Sequence, residues 1–343
     1  VAAVEKTPGS SSLAFDKDPS KPLLTVQNLE VEYRTPRGVV RAVDDVSFEI
    51  WPNEVFGLAG ESGCGKSTIA HAVTRILKPP AYISGGQLIF QGVDILSMDE
   101  DNLRGFRWEH MSIVFQSAMN ALNPIITIGD QIVDAIQAHT AMPKKQARER
   151  AKDLLHTVGI DVNRVDSYPH QLSGGMRQRA VIAIALALQP ELIIMDEPTT
   201  ALDVVVQKQI IQEVQRLKNE FNFSILFITH DLSLLVEFSD RIGIMYAGKM
   251  VEVGPSRQIF NNPQHPYTEK LMNSFPMISG PRQPLTGIPG SPPDLISPPT
   301  GCRFHPRCDK AIAGLCQEVI PVLQEVEPRH RAACHLIDHP EMR

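Results

Sequence analysis

One stretch constrains this chain more than any other. Asn53 to Ala59 reads as a buried strand and runs directly into Gly60-Glu61-Ser62-Gly63-Cys64-Gly65-Lys66-Ser67-Thr68, after which Ile69, Val73, Ile76 and Leu77 mark one face of a helix. Strand, glycine loop and helix, in that order, match G-x-x-x-x-G-K-[ST] in full. The spacing has a mechanical cause. Glycines let consecutive backbone N–H groups turn inward around phosphate oxygens, and the following helix aims its positive end at them. Lys66 would neutralise the β and γ phosphates of a nucleotide, and Ser67 would place its hydroxyl on Mg2+.

Other polar residues gather at the ends of predicted strands, where open α/β sheets bind ligands. Leu192 to Met195 ends in Asp196-Glu197. Asp196 is placed to hold the magnesium shell, through water, and Glu197 to polarise an attacking water. Ile225 to Thr229 ends at His230, which could bond the γ-phosphate, and Gln116, after Ile113-Val114-Phe115, could bridge metal and attacking water. A second anion site is predicted at Leu172-Ser173-Gly174-Gly175-Met176-Arg177-Gln178-Arg179, a Ser-Gly-Gly turn opening the helix from Val181 to Leu188. A helix N-cap at Ser173 would account for the serine but not for the paired glycines. Between the two loops, Gly129 to Ile160 reads as a helical insertion. Two phosphate-binding helix ends in one chain predict a site assembled between two molecules, each supplying one half.

Around this core, Leu23 to Val31 and Ala42 to Ile50 alternate as half-buried strands about Pro36-Arg37-Gly38, and Ile242 to Tyr246 with Met250 to Val253 form a hairpin. The 343 residues allow a full α/β core and one appended module. We place the boundaries at 1–22 for a flexible N-terminal arm, 23–255 for the nucleotide-binding domain and 256–343 for a C-terminal extension. Pro276 to Pro306 carries nine prolines and reads as an extended strap within that extension. A net charge of −6 argues against a chain built to neutralise nucleic acid. The longest apolar stretch, Ala180 to Leu188, is shorter than the ~18 residues a spanning helix needs. The first twenty residues lack the apolar run of a secretory signal, so export is not expected.

Gly60 to Thr68, Gln116, Leu172 to Gln178, Leu192 to Glu197, Asp203 and His230 together resemble the ordered motifs of ATP-binding cassette (ABC) proteins, over residues 23 to 255. The resemblance implies a RecA-like α/β core with a helical subdomain and an antiparallel β subdomain, and a reaction that hydrolyses ATP. It also implies a head-to-tail dimer, in which Ser173 and Gly175 of one chain contact the γ-phosphate held by Lys66 of the other and Asp203 ties the halves together. Tyr33, just past the first strand, would stack on adenine. A narrower resemblance, to oligopeptide and dipeptide importer ATPases, rests on Phe115-Gln116 through Asn123-Pro124, Ser167-Tyr168-Pro169-His170-Gln171, Leu202 to Gln207 and His265-Pro266-Tyr267-Thr268. It continues through the tail from Pro289-Gly290-Ser291-Pro292-Pro293 to Cys334-His335; Met176, after the signature glycines, is usual for this branch.

That resemblance implies two membrane permeases and an extracytoplasmic peptide-binding protein as partners, a sibling ATPase in a heterodimer, and a place at the cytoplasmic face of the membrane. Relatives with such tails also serve nickel, glutathione and other small solutes. The four late cysteines, Cys302, Cys308, Cys316 and Cys334, are separated by five, seven and seventeen residues, a spacing that leaves cluster, zinc site and no ligand open. His305, His330 and His335 are available to a zinc site. The resemblance implies a 4Fe-4S cluster on the four thiolates, stapling a small module. Two rival readings are a cassette ATPase acting on ribosomes or DNA and a non-catalytic nucleotide-binding subunit. Glu197 and His230 argue against the second.

Overall fold

The computed structural model describes residues 15–116, 121–200, 202–274 and 287–342. The first fourteen residues of the predicted arm, four residues after Gln116, Ala201 and part of the proline strap lie outside them. In chain order the strands and helices begin with β1 (Leu24–Thr35), β2 (Gly38–Ile50), β3 (Val55–Ala59), α1 (Lys66–Val73), β4 (Ala81–Phe90) and β5 (Val93–Asp94). Next come α2 (Glu100–Glu109), β6 (Met111–Val114), α3 (Ile128–His139), α4 (Lys144–Thr157), α5 (Gly174–Ala185), β7 (Leu192–Asp196) and α6 (Val204–Phe221). The rest are β8 (Ser224–Ile228), α7 (Leu232–Phe238), β9 (Arg241–Tyr246), β10 (Lys249–Pro255), α8 (Ser256–Asn261), α9 (Pro266–Asn273), α10 (Leu315–Glu318), β11 (Gln324–Glu327) and β12 (His330–Ala332).

These elements fall into two compact units whose boundaries cut across the sequence-predicted domains. The first holds residues 15–23, 51–54 and 90–226; the second holds 24–50, 55–89 and 227–342.

In the first unit β6 and β7 run parallel, with Met111 beside Leu192 and Val114 beside Met195. Every residue of β7 is buried, as strands covered on both faces require. The helical insertion appears as α3 and α4. Thr127 caps α3 by accepting from the Asp130 N–H, and Asp203 caps α6 by accepting from the Val206 N–H. Asn222 ends α6 in the left-handed conformation, φ 54°. Residues 15–22, assigned from composition to the arm, make specific contacts. The Phe15 ring stacks on Phe106 at 6.0 Å and meets His110 at 4.2 Å. Lys17 pairs with Glu191 at 2.8 Å, and Glu191 meets His110 at 3.1 Å.

In the second unit β1 and β2 form a long antiparallel hairpin, with Tyr33 opposite Val40, and β1 lies between β2 and β4. β3 pairs in parallel with β9, which pairs antiparallel with β10. The C-terminal extension continues this sheet, since β12 adds to β10 with Glu252 beside Ala332, and β11 follows β12. Side-chain contacts reinforce this pairing. Tyr246, Tyr267 and Phe304 form an aromatic cluster with ring centroids 4.6–5.3 Å apart. Glu252, fully buried, accepts from the backbone N–H groups of Gln264 and His265 and meets His330 Nε2 at 2.7 Å. The Arg303 guanidinium, 8% exposed, pairs with Asp44 and bonds the Ala247 carbonyl. These anchors place the tail in the same compact unit as the glycine loop.

Candidate functional site

The pairing register of the second unit sets the glycine loop. Phe56 to Ala59 lie beside Arg241 to Ile244, so the next residue, Gly60, comes against Met245. A Cβ on Gly60, whose φ is +146°, would sit 2.2 Å from the Met245 carbonyl oxygen. Gly65 is similarly required: it is the N-cap of α1 at φ +108°, and a Cβ there would lie 2.2 Å from the Ala42 carbonyl oxygen. No side chain caps α1. Cys64, Gly65 and Lys66 are buried, while Ser62 and Gly63 are exposed. The Lys66 ammonium donates to the carbonyls of Gly60 at 2.8 Å and Glu61 at 3.0 Å, and lies 3.5 Å from Cys64 Sγ. Burial raises the Cys64 thiol above its ordinary range despite the lysine beside it, so it stays a thiol near neutral pH. The Tyr33 hydroxyl meets Thr68 Oγ1 at 3.2 Å, bringing the predicted adenine-facing residue to the end of the loop.

α1 is shorter than its apolar spacing predicts. It stops at Val73, and Ile76 and Leu77 lie beyond it. Arg75 takes a left-handed φ of 51°, and the Thr74 hydroxyl bonds back to the Ala70 carbonyl, which together end the helix. His230, also in the second unit, is exposed just after β8.

In the first unit the β6–β7 register does comparable work. Extending it past Val114 and Met195 carries Gln116 alongside Glu197. Gln116 Nε2 donates to Glu197 Oε2 at 2.8 Å, and Thr200 donates to the same oxygen at 3.0 Å. Asp196, the last residue of β7, is 2% exposed. Glu197 has a backbone φ of 48°, a left-handed conformation costly for a residue with a Cβ. Such conformations persist where surrounding structure enforces them, and they concentrate at functional sites. The structure thus brings together two of the predicted catalytic residues and adds Thr200, which carried no sequence signal of its own.

The second glycine turn is built differently. Ser173 is the N-cap of α5 and accepts from the Met176 N–H at 3.3 Å. Leu172 is buried and Gly174 to Arg177 are half-buried. A Cβ on Gly175 would lie 2.9 Å from Val206 Cγ1, so close approach of α5 to α6 accounts for one of the paired glycines. Asp203, predicted to tie two chains together, caps α6.

The cysteine reading is corrected. Cys302, Cys308, Cys316 and Cys334 form no disulfide, and among the described residues no group of three or more His, Cys, Asp or Glu side chains is arranged to hold a metal ion. Neither the 4Fe-4S cluster nor the zinc alternative is supported. Burial pushes the Cys302 thiol up to about 12 and raises Cys308 as well. Cys316 Sγ accepts from the Ile312 N–H at 3.3 Å. The histidines are engaged too: His305 Nδ1 lies 2.9 Å from the Cys302 carbonyl oxygen, His330 meets Glu252, and His335 Nε2 lies 2.9 Å from the Val319 carbonyl oxygen. Anchors based on Arg303, Glu252 and the aromatic cluster do what a cluster was expected to do.

Comparison with known proteins agrees with the motif order. A family described as ABC transporter matches residues 43–200, and one described as Oligopeptide/dipeptide transporter, C-terminal region, matches residues 251–316. The dipeptide transport ATP-binding protein DppD of Bacillus subtilis is 43% identical over 319 residues, covering 92% of this chain and 95% of that one. Its namesake from Caldanaerobacter subterraneus is 39% identical over 318 residues, covering 92% and 97%. Among solved structures, a dimeric ATP-binding cassette in a post-hydrolysis state bound to ADP and Pi is similar at a TM-score of 0.61 and 28% identity. It covers 68% of this chain and 99% of that one. With strand, glycine loop, paired Gln116 and Glu197 and capped signature helix all in place, the chain belongs to the ABC transporter family, in the branch of dipeptide and oligopeptide importer ATPases.

Proposed function

We propose that this chain is the ATP-hydrolysing motor of a complex that imports dipeptides or oligopeptides. The observation that carries the reading is the C-terminal match over residues 251–316, joined to near full-length similarity to dipeptide transport ATP-binding proteins. As an ABC ATPase the chain binds and hydrolyses ATP. Membrane permeases and a second ATPase follow from membership of this family. We take the second ATPase to be a sibling chain in a heterodimer, with an extracytoplasmic peptide-binding protein delivering the cargo. Among the described residues no helix is long and apolar enough to cross a membrane, consistent with a peripheral place on the permeases, which we assign to the cytoplasmic face.

Gly60, Ser62, Gly63, Cys64, Gly65, Lys66, Ser67 and Thr68 are read as the cradle of the triphosphate, with Tyr33 against adenine. Glu197 acts as general base on the attacking water, with Gln116 holding its carboxylate in orientation and His230 sensing the γ-phosphate. The oxygen donors of Ser67, Gln116 and Asp196 suit Mg2+, which supplies charge neutralisation to the phosphates when bound. Leu172, Ser173, Gly174, Gly175 and Met176 would face the nucleotide of the sibling chain, with Asp203 between the halves. Hydrolysis then opens the closed dimer, and the motion passes to the permeases near Gln116.

Two measurements test this. Glu197→Gln in the reconstituted complex is expected to cut steady-state hydrolysis by roughly 100-fold or more while leaving ATP binding intact. Unchanged turnover would remove Glu197 as the base. Hydrolysis by the complex with its binding protein is expected to rise on adding short peptides; a basal rate indifferent to peptides would keep the motor and overturn the cargo.

A further inference from the structure

An acidic residue inside an anion-binding loop is an electrostatic liability, since a carboxylate close to a triphosphate repels it. Glu61 occupies such a position, one residue after Gly60. The structure answers this charge from the far end of the chain. The Arg307 guanidinium, with its side chain 6% exposed, grips the Glu61 carboxylate with both arms, Nη1 to Oε2 at 2.7 Å and Nη2 to Oε1 at 3.0 Å. The same guanidinium donates to the Tyr246 hydroxyl at 3.2 Å and to the carbonyls of Pro289 and Ile288 at 2.8 and 3.3 Å. Glu61 is held at its backbone as well: its N–H donates to the Tyr267 hydroxyl at 2.9 Å. Its carbonyl in turn receives the Lys66 ammonium at 3.0 Å. Two residues of the C-terminal extension therefore fix the carboxylate and amide of the loop residue whose carbonyl orients the phosphate-binding lysine.

We propose that Arg307 is a positioning residue for nucleotide binding, neutralising and fixing Glu61 so that the C-terminal extension sets the ATP affinity of the phosphate loop. The proposal rests on the reading of Gly60 to Thr68 as the ATP site. It assigns the extension an effect on the motor itself, and it gives the acidic second position of the loop a reason.

The test uses the full chain, with MgATP binding followed by calorimetry, folding by thermal melting, and KM and kcat for ATP in the transporter complex. Arg307→Ala is expected to weaken ATP binding about tenfold or more, because it leaves the Glu61 carboxylate of the loop without its countercharge. The KM should rise in step, with kcat at saturating ATP nearly unchanged. Adding Glu61→Gln to Arg307→Ala should recover most of the lost affinity, and Arg307→Lys, which keeps the charge but not the fork, should fall between. A cooperatively melting Arg307→Ala protein with parental affinity would overturn the proposal. So would an affinity loss that Glu61→Gln fails to relieve, the mark of a purely structural role. Should Arg307→Ala not fold, Arg307→Gln carries the same comparison with less packing lost. Lys66→Ala is the separate control: if that variant bound ATP like the parent, the site reading would fall rather than the role of Arg307.

Discussion

The two glycine turns that open α1 and α5 look alike in sequence and are made in opposite ways. At Gly60 and Gly65 the backbone is pressed against carbonyl oxygens of Met245 and Ala42, and the helix starts with no side-chain cap. That loop is shaped by its surroundings and braced by Tyr267 and Arg307. The turn at Ser173 needs no such bracing. Its serine caps α5 locally, its Gly175 serves the approach to α6, and Ser173 itself stays exposed. A loop fixed by its own chain is suited to hold a ligand alone. One that is locally satisfied and open to solvent can meet a ligand that another molecule carries.

The contrast can be broken at several points. Gly65→Ala should do the most damage, since a Cβ has no room there: we expect a loss of about 4 kcal/mol or more in chemical denaturation and no measurable ATP binding. A variant that binds ATP normally would show that the first loop is less constrained than its geometry states. Acid should act next, and on the braced loop's support. His265 caps α9, its Nδ1 accepts from the Tyr267 N–H, and burial depresses its pKa from 6.5 to about 4. A folded pKa below the unfolded one gives stability that is complete above pH 6.5 and fades as pH falls toward 4. The loss is on the order of 3 kcal/mol, and His265→Asn, which can still cap the helix, should flatten it in melts across that window. Ser173→Ala should have the smallest effect on folding, about 1 kcal/mol from the lost cap. ATP binding to the isolated chain should stay unchanged while hydrolysis in the complex falls further than that cost explains. Equal losses in both would reduce Ser173 to a cap.

What the sequence made legible follows one rule: chemistry carried by consecutive residues could be seen, and chemistry made by packing could not. Gly60 to Thr68 announces itself because the loop's demands fall on neighbouring positions. Gln116 and Glu197 were each found at a strand end, but their hydrogen bond depends on the register between strands whose residues stand 81 apart. Arg307 and Glu61 are 246 positions apart, and although Glu61 lies in the glycine loop nothing local ties it to Arg307; Tyr267 stands out only as part of a resembling motif. The cysteines failed in the other direction. Four thiols at suggestive intervals point to a cluster, yet ligation depends on how the side chains are arranged in space, and among the described residues no group of three or more His, Cys, Asp or Glu side chains is arranged to hold a metal ion. The division into units was likewise hidden, because β12 joins β10 by strand pairing that proline content does not foretell.

The contacts of Phe15 have a practical side. Its ring shields Phe106 and the edge of Phe90, and Lys17 two residues later helps neutralise Glu191, the partner of His110. Trimming the gene to begin at the first strand would peel an aromatic lid off that cluster and leave greasy surface facing water beside an under-compensated acid. Fragments prepared for crystallisation or assay should therefore start upstream of Phe15, and tags placed at this end belong beyond it, at the cost of a longer tail but with the wall of the first unit intact.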